Sequence, residues 1–239
     1  MPLGTGRKLS TRVAAAEALQ LIGGFSDPKW LMNIAAGFRQ FAENDGKFWG
    51  AYGNRVKHGG IQQVEQVVRK LCDDPTTRQA VVTLWNPVLD NSPGKRDYPC
   101  TVALSFQRRG PRYRQHSQLN MSVLMRSNDV WLGLPYDMFQ FTQLQLTLCN
   151  ILDLTPGTYT HTAWSLHLYL DNADDSYAVT DHITAETDCA AGPTGIGVNG
   201  QSVTVVRQLA RDLARGRFNT EPSTSERWYL DVLEGHYAS

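Results

Sequence analysis

The sequence predicts an α+β fold in which a mixed or antiparallel β-sheet is covered by helices. Two observations predict it: helical patterns fill residues 11–71, and strand patterns then dominate residues 79–125. A long apolar helix at 136–152 and a β-branched, aromatic strand at 158–170 follow. No repeat or linker divides the chain, so we interpret residues 1–239 as a single domain with one core.

Each predicted helix has a local signal. The first is rich in Ala and Leu and stops at Gly23-Gly24, and the third is closed by Asp73-Asp74-Pro75. The others carry apolar side chains near helical spacing. The predicted helices span residues 11–22, 28–43, 61–71, 136–152, 204–214 and 225–235.

The strands are predicted from β-branched and apolar runs at 79–85, 101–107, 118–125 and 158–170. The third run alternates, so that one face carries Leu119, Met121, Val123 and Met125. Residues 171–201 are polar, contain glycine and show few periodic signals.

Charge and cysteine usage narrow the class of protein. Lys+Arg and Asp+Glu both number 23, and a neutral chain does not favour binding to a nucleic-acid backbone. The four cysteines are spaced by 28, 49 and 40 residues, which matches no zinc pattern, so no metal is expected. We see no secretory signal and no membrane-spanning run, and we expect a cytoplasmic protein with reduced thiols.

Cys100, in the segment Tyr98-Pro99-Cys100-Thr101, is a candidate nucleophile. The alternative is a buried structural thiol, because free cysteine commonly behaves as a small hydrophobic residue. A reactive cysteine needs its thiolate, and the thiolate needs positive charge nearby. Arg126 and Arg78 are the candidate sources of that charge.

Other polar residues suggest a ligand site. Arg126 and Ser127 offer a guanidinium and a hydroxyl suited to a phosphate, although Arg126 could instead pair with Asp129 on the surface. Glu17 lies in an apolar helix, where burial would raise its pKa and suit it to proton transfer, unless it faces water. The side chains of His167 and Tyr169 share one face of a strand, where they are candidate ligands or ordinary packing residues.

Segment 126–137 (RSNDVWLGLPYD) is the most specific motif in the chain. With Pro99-Cys100 it resembles the thymidylate synthase family, and within it the pyrimidine-monophosphate hydroxymethylases. Further matching segments are Glu17 in its helix, Ala51-Tyr52-Gly53, Asp74-Pro75, Trp85-Asn86 and His167-Leu168-Tyr169. The resemblance implies a thymidylate synthase-like fold and a homodimer whose sheets pack face to face.

The resemblance also implies roles for individual residues. Cys100 resembles the nucleophile that adds to C6 of a pyrimidine, Glu17 the acid/base group, and Tyr52 an active-site tyrosine. The implied substrate ligands are Arg126 and Ser127 for the phosphate, Asp129, and His167 and Tyr169 for the sugar 3′-hydroxyl. Arg78 resembles an arginine that reaches the phosphate bound by the neighbouring subunit.

Asp137 departs from the synthase pattern, which has a base-reading asparagine at this position. An amide complements uracil, whereas a carboxylate accepts from the cytosine N4 amino group and favours a proton at N3. Thr101 and Ser165 also resemble phage-type deoxycytidylate hydroxymethylases. Two features do not match: Gln79 replaces an expected arginine, and only Arg7 or Arg12 stands upstream as a candidate phosphate ligand.

The sequence therefore predicts 5-hydroxymethylation of a cytidine monophosphate with 5,10-methylenetetrahydrofolate and water, through a covalent adduct of Cys100. Arg outnumbers Lys 17 to 6, which hints at a GC-rich genome and favours CMP in nucleoside-antibiotic biosynthesis over phage dCMP. The alternatives are dCMP hydroxymethylation, methylation or hydroxymethylation of dUMP, and an inactive nucleotide-binding relative.

Overall fold

The computed structural model describes residues 9–58, 60–110, 117–180, 193–197, 201–217 and 222–235. Its strands are β1 (Lys57–His58), β2 (Ile61–Gln62), β3 (Val81–Thr83), β4 (Thr101–Arg109), β5 (Gln118–Met125), β6 (Asn128–Asp129), β7 (Thr155–Ala163) and β8 (Leu166–His167). Its helices are α1 (Thr11–Gly23), α2 (Pro28–Ile34), α3 (Tyr52–Arg55), α4 (Gln63–Asp73), α5 (Pro87–Asp90), α6 (Leu134–Leu152), α7 (Ala173–Thr180), α8 (Val203–Ala214) and α9 (Thr224–Glu234). Short 3-10 helices lie at Ala36–Phe41 and Leu170–Asn172.

The main sheet has the strand order β3-β4-β5-β7 and is mixed, as predicted. The pairs β3–β4 and β4–β5 are antiparallel, whereas β5 and β7 are parallel. A separate parallel pair joins β6 to β8, opposing Asn128 to Leu166 and Asp129 to His167. This pair brings two motifs that are far apart in the sequence into contact.

The period-two alternation of the strands gives the main sheet two different faces. The inner face carries Leu104, Phe106 and the predicted set from Leu119 to Met125, all buried in the core with α1 and α6. The outer face lies opposite. Along the middle of the strands it carries uncharged residues, and Arg109 stands at the end of β4, paired with Gln118. The uncharged residues are Val81, Ser105, Ser122, Leu124, Thr160 and Thr162. On it, the side chains of Val81, Ser122 and Thr160 are exposed.

Helices α1 and α6 contribute to the core that covers the inner face of the main sheet. Small alanines on α1 are fully buried and allow close approach of its neighbours. Ser10 caps the start of α1 by accepting from the Val13 N–H, and Gly24, at φ 57°, closes its end. In α6, Pro135 stands in the first turn, where its missing N–H costs nothing.

Two predicted elements are interrupted in the structure. The helix expected over 28–43 ends at Ile34, because Ala35 takes an extended conformation before the 3-10 helix. The strand expected over 158–170 breaks at Trp164 and Ser165. The Trp164 N–H still bonds to Met125, but β5 ends there, and the chain turns to pair with β6 instead.

Other boundaries shift less. The strand predicted at 79–85 is paired only over Val81–Thr83, and the helix predicted at 61–71 runs from Gln63 to Asp73. Much of the polar stretch 171–201 and Cys189 lie outside the described residues. None of the helices formed by the described residues is both long and apolar enough to span a bilayer.

A buried ion pair fixes the segment that leads from the sheet towards α5. Asp90 accepts two hydrogen bonds from Arg55, each 2.7 Å long, and also binds the Asn86 N–H and the Trp49 indole.

We expect Asp90→Ala to lower the free energy of unfolding by about 3 kcal/mol, because Arg55 would keep a buried charge without its partner. Urea unfolding measures this, with Asp45→Ala, at an exposed ion pair, as a control that should show no measurable change. Equal effects of the two substitutions would contradict the prediction.

Candidate active site

The β4–β5 pairing places Arg126 beside Cys100. The register opposes Thr101 to Met125, and the Arg126 N–H donates to the Cys100 carbonyl at 2.8 Å. The Arg126 guanidinium donates to the Pro99 carbonyl at 3.0 Å, and its Nη2 lies 3.8 Å from the Cys100 Sγ. The positive charge that a thiolate needs is therefore next to the sulfur.

The environment of Cys100 contains opposing influences on its pKa. Burial raises the pKa of the thiol above its ordinary value, Arg126 lowers it, and the charges of Asp137 and Asp97 raise it. The net pKa is raised, so the free protein holds Cys100 mainly as the thiol. The Arg126 side chain also lies over the Trp85 ring, 5.3 Å from its centroid.

Glu17 projects from α1 into the same region. Its Oε2 is inaccessible to solvent and has no hydrogen-bond partner in the described part of the chain. Burial, with a contribution from the charge of Asp137, raises the pKa of Glu17 to about 8. At neutral pH this carboxyl is mostly protonated, and it can exchange a proton with a bound ligand.

Asp137 lies in the first turn of α6 and is buried, with 8% of its surface exposed. Its Oδ2 accepts from the Asn128 Nδ2 at 2.7 Å, and its Oδ1 accepts from the Gln140 Nε2 at 3.1 Å. Burial raises the pKa of Asp137 to about 7, although both hydrogen bonds lower it. The carboxyl can therefore either hold or release a proton near neutral pH.

Tyr52 completes this group from α3. Its ring stacks on Phe141 of α6, with the centroids 5.7 Å apart. Burial raises the pKa of Tyr52 well above its ordinary value, and the charges of Asp137, Cys100 and Glu17 raise it further. These interactions show that the structure gathers the four predicted catalytic side chains in one polar site.

The paired strands β6 and β8 bring the predicted sugar ligands beside Asp129. The Val130 N–H donates to the His167 carbonyl at 2.9 Å, and the His167 and Tyr169 rings meet edge to face at 5.1 Å. Asp129 is buried and its Oδ1 accepts from the backbone N–H groups of the turn that follows β6. Its Oδ2 is buried without a partner among the described residues. Half-buried Ser127 lies between Arg126 and this pair.

Three predicted arginines do not join this group. Arg78 is exposed on the segment before β3, and no contact between described residues links it to Cys100. Arg12 is exposed at the start of α1, and Arg7 lies outside the described residues. Gln79, which replaces an expected arginine, accepts from the Lys70 ammonium at 3.3 Å.

The sequence interpretation assigned no role to four residues around Asp137: Asn128, Gln140, Tyr159 and His161. Asn128 stands inside the recognised motif, and Gln140 follows Asp137 by one helical turn. Tyr159 and His161 alternate along β7, which could have marked a shared face. The sequence does not show that these residues converge around Asp137, because that depends on how β6, β7 and α6 pack.

Comparisons with known proteins agree with this fold. A family model described as thymidylate synthase matches residues 1–193. A deoxyuridylate hydroxymethyltransferase of Bacillus phage SP01 is 32% identical over 181 residues, which cover 70% of this chain and 45% of that protein. A thymidylate synthase of Herpesvirus ateles is 28% identical over 210 residues, covering 77% of this chain and 69% of that protein.

A solved structure, the thermostable thymidylate synthase A from Bacillus subtilis, matches with a TM-score of 0.67 over 84% of this chain and 71% of that chain. Its sequence identity is 22%, so this likeness concerns the fold. The class defined by these matches is an α+β fold with a mixed sheet covered by helices. The chain belongs to the thymidylate synthase family, which confirms the resemblance and the fold class predicted from the sequence. It spans less than half the length of the phage relative.

The raised pKa of Glu17 predicts a pH-dependent stability. The folded protein keeps the Glu17 proton up to about pH 8, whereas the unfolded chain releases it near the ordinary glutamate pKa of 4.5. The contribution of this group to stability is therefore present below the unfolded pKa and is lost as the pH rises towards 8.

Glu17→Gln removes this titration. In urea unfolding, we expect the stability of the variant relative to the wild type to increase by on the order of 3 kcal/mol between pH 5 and pH 8. Glu65→Gln, at a surface ion pair on α4, is the control and should show no such trend. A stability difference for Glu17→Gln that is the same at both pH values would contradict the raised pKa.

Proposed function

We propose that the protein hydroxymethylates C5 of a cytidine monophosphate, with CMP preferred over dCMP. One observation carries the proposal: a buried carboxyl, Asp137, whose pKa is raised to about 7 and whose charge acts on Cys100. A base held over Cys100 would have its Watson–Crick edge within the influence of that carboxyl.

The chemistry of Asp137 supports cytosine. Cytosine presents an N4 amino donor beside an N3 acceptor, whereas uracil presents an O4 acceptor beside an N3–H donor. An ionised Asp137 would accept from N4–H of cytosine, and it would favour a proton at N3 as the ring takes up charge. Against uracil, an ionised Asp137 would oppose O4 with a second acceptor, and a mismatched buried pair costs about 1–3 kcal/mol.

The remaining side chains suit covalent catalysis at the ring. The Cys100 sulfur would bond to C6, and the electron pair of the C5–C6 double bond would make C5 a carbon nucleophile. C5 would bond to the one-carbon unit, and loss of the C5 proton would then expel tetrahydrofolate and leave an exocyclic methylene. Water would add to that methylene, and the Cys100 thiolate would leave C6. Glu17, with its proton held until about pH 8, would supply and accept protons in these steps.

The one-carbon unit would come from 5,10-methylenetetrahydrofolate, which supplies carbon at the oxidation level of formaldehyde. The residues around β6 fit a pterin. The Asp129 Oδ2 is a buried acceptor without a partner among the described residues, which suits ring N–H donors. Leu132, 51% exposed at the adjacent turn, offers an apolar surface for the ring. Asp129 and Leu132 would hold the folate beside the nucleotide.

Hydroxymethyl rather than methyl transfer is supported by the phage relative, which is described as a deoxyuridylate hydroxymethyltransferase. The same relative favours a second candidate function, hydroxymethylation of dUMP. For the nucleotide sugar, the proposal follows the excess of Arg over Lys, which favours a bacterial source and a role in nucleoside-antibiotic biosynthesis. No nucleic-acid partner and no membrane partner are part of the proposal.

We further propose a homodimer formed through the outer face. The middle of this face is uncharged, with Val81 43% exposed on the edge strand, which suits packing against a second copy. Arg78, exposed beside β3, would reach the phosphate of the partner's site.

Mixing Arg78→Glu with Cys100→Ala should restore activity that neither variant shows alone. In each mixed dimer, one site would be complete, because it has Cys100 from one subunit and Arg78 from the other. A mixture that remains inactive although mixed dimers form would contradict this role for Arg78.

The experiment that tests the function compares CMP, dCMP and dUMP, each tritiated at C5, with methylenetetrahydrofolate. The proposal expects tritium release from CMP at the highest kcat/KM and a product whose mass is that of 5-hydroxymethyl-CMP. Turnover of dUMP alone would overturn the cytidylate assignment. A methyl product would overturn the hydroxymethyl assignment, and nucleotide binding without tritium release would support the inactive relative.

A further inference from the structure

A chain of hydrogen bonds leads from β7 to Asp137. The Tyr159 hydroxyl lies 2.8 Å from His161 Nδ1, and His161 Nε2 lies 3.0 Å from the Asn128 Oδ1. The Asn128 Nδ2 then donates to the Asp137 Oδ2 at 2.7 Å. We call Tyr159, His161 and Asn128 the β7 chain.

The direction of each bond in the β7 chain follows from Asp137. An ionised carboxylate only accepts, so the Asn128 amide turns its Nδ2 towards Asp137 and its Oδ1 towards His161. His161 therefore carries its proton on Nε2, and its Nδ1 accepts from the Tyr159 hydroxyl. Burial lowers the pKa of His161, which agrees with this neutral tautomer.

Reversing the chain is costly. If the Asn128 amide flipped, His161 would accept at Nε2 and donate from Nδ1, and the Tyr159 oxygen would become the acceptor. The proton of the Tyr159 hydroxyl would then lack its present acceptor in a partly buried position. The β7 chain therefore fixes the Asn128 amide in one orientation.

Gln140 supplies the second donor to the same carboxyl. Its Nε2 reaches the Asp137 Oδ1, while Asn128 reaches the other oxygen, so both oxygens of the residue at 137 must accept. A carboxyl meets this requirement. An amide has only one oxygen, and its NH₂ group would face one of the two donors.

We propose that Asn128, held by His161 and Tyr159, and Gln140 are positioning residues that require an acid at position 137 and thereby set the preference for cytosine. This inference rests on the proposed function for its substrate and on the observed hydrogen bonds for its geometry. It implies that Asp137→Asn alone makes a poor uridylate enzyme, because the new amide opposes a fixed donor.

The swap Asp137→Asn with Asn128→Asp tests the inference directly. In the double variant, the new carboxylate at 128 accepts from both His161 and the new amide at 137. We expect the double variant to turn over dUMP with a kcat/KM at least about tenfold above that of Asp137→Asn alone, since one mismatched buried pair is removed. A double variant no better on dUMP than the single variant would overturn the inference.

A titration without nucleotide separates this inference from the proposed function. The carbon-13 NMR signal of the Asp137 carboxyl should titrate near pH 7 in the wild type. In Asn128→Ala its pKa should rise by about one further unit, because a hydrogen bond to the charged form is lost. The titratable groups whose pKa values respond to the charge of Asp137 are Glu17, Tyr52, Cys100 and Tyr159, and His161 reaches it through Asn128.

Gln140→Met removes the second donor to Asp137, and Gln143→Met is its matched control. Both glutamines are buried on α6, but Gln143 donates to the Pro193 carbonyl rather than to Asp137. We expect only Gln140→Met to raise the Asp137 pKa and to lower the ratio of cytidylate to uridylate turnover. Equal shifts in both variants, or none in Asn128→Ala and Gln140→Met, would overturn the inference. If the wild type instead prefers dUMP, the proposed function fails while the titration still tests the hydrogen bonds.

Discussion

Cys100→Ala is expected to abolish tritium release from C5 of the nucleotide, with a loss on the order of 10³-fold or more. The sulfur is the group that would bond to C6, and without it C5 does not become nucleophilic. The Arg126 guanidinium, 3.8 Å from Sγ, would stabilise the thiolate once a ligand excludes water from the site.

Cys72→Ala is the matched control for this prediction. Cys72 is exposed on α4, so its removal should leave both folding and turnover unchanged. Nucleotide affinity should persist in Cys100→Ala, which separates loss of chemistry from loss of binding. Turnover by Cys100→Ala close to the wild-type rate would refute the covalent scheme.

Asp137→Asn is expected to lower kcat/KM for cytidylate by about 10²- to 10³-fold. The carboxyl would satisfy both N3 and N4 of cytosine. The NH₂ group of an amide at 137 would face either the fixed Asn128 donor or the Gln140 amide instead. The measurement is kcat/KM for CMP, dCMP and dUMP with the wild type and the variant. Most of the change in preference should come from lost cytidylate turnover.

Asp97→Asn controls for the loss of a half-buried carboxyl near Cys100. Asp97 accepts from the Gly50 N–H at 3.1 Å, and its charge also acts on the thiol. We expect this variant to change rates for all three nucleotides in parallel and to keep their ratio. A similar change of ratio in both variants would show that Asp137 does not read the base.

The fold and the clustering of Cys100, Glu17, Tyr52 and Asp137 were largely predictable because their signals are local. Alternation over 118–125 identified the buried face of β5, and the motif from Arg126 to Asp137 identified the site. The break at Ala35 was not predictable, because apolar spacing continues through it while the backbone turns extended. Tertiary context overrides periodicity in such segments.

The surroundings of Asp137 illustrate the limit of the sequence. His161 and Asn128 are 33 positions apart, and neither shows from its neighbours that it bonds to the other. Their contact depends on how β6 packs beside β7 of the main sheet. Hydrogen-bond partners of this kind are set by packing, which a periodic pattern does not record.

The most direct measurement is a crystal structure of the protein with bound CMP. The account predicts the Asp137 carboxyl within about 3 Å of both N3 and N4 of the base, and the Cys100 sulfur facing C6. A base whose N4 group is bound elsewhere, with the Asp137 carboxyl turned from the pyrimidine edge or the sulfur out of reach of C6, would contradict it.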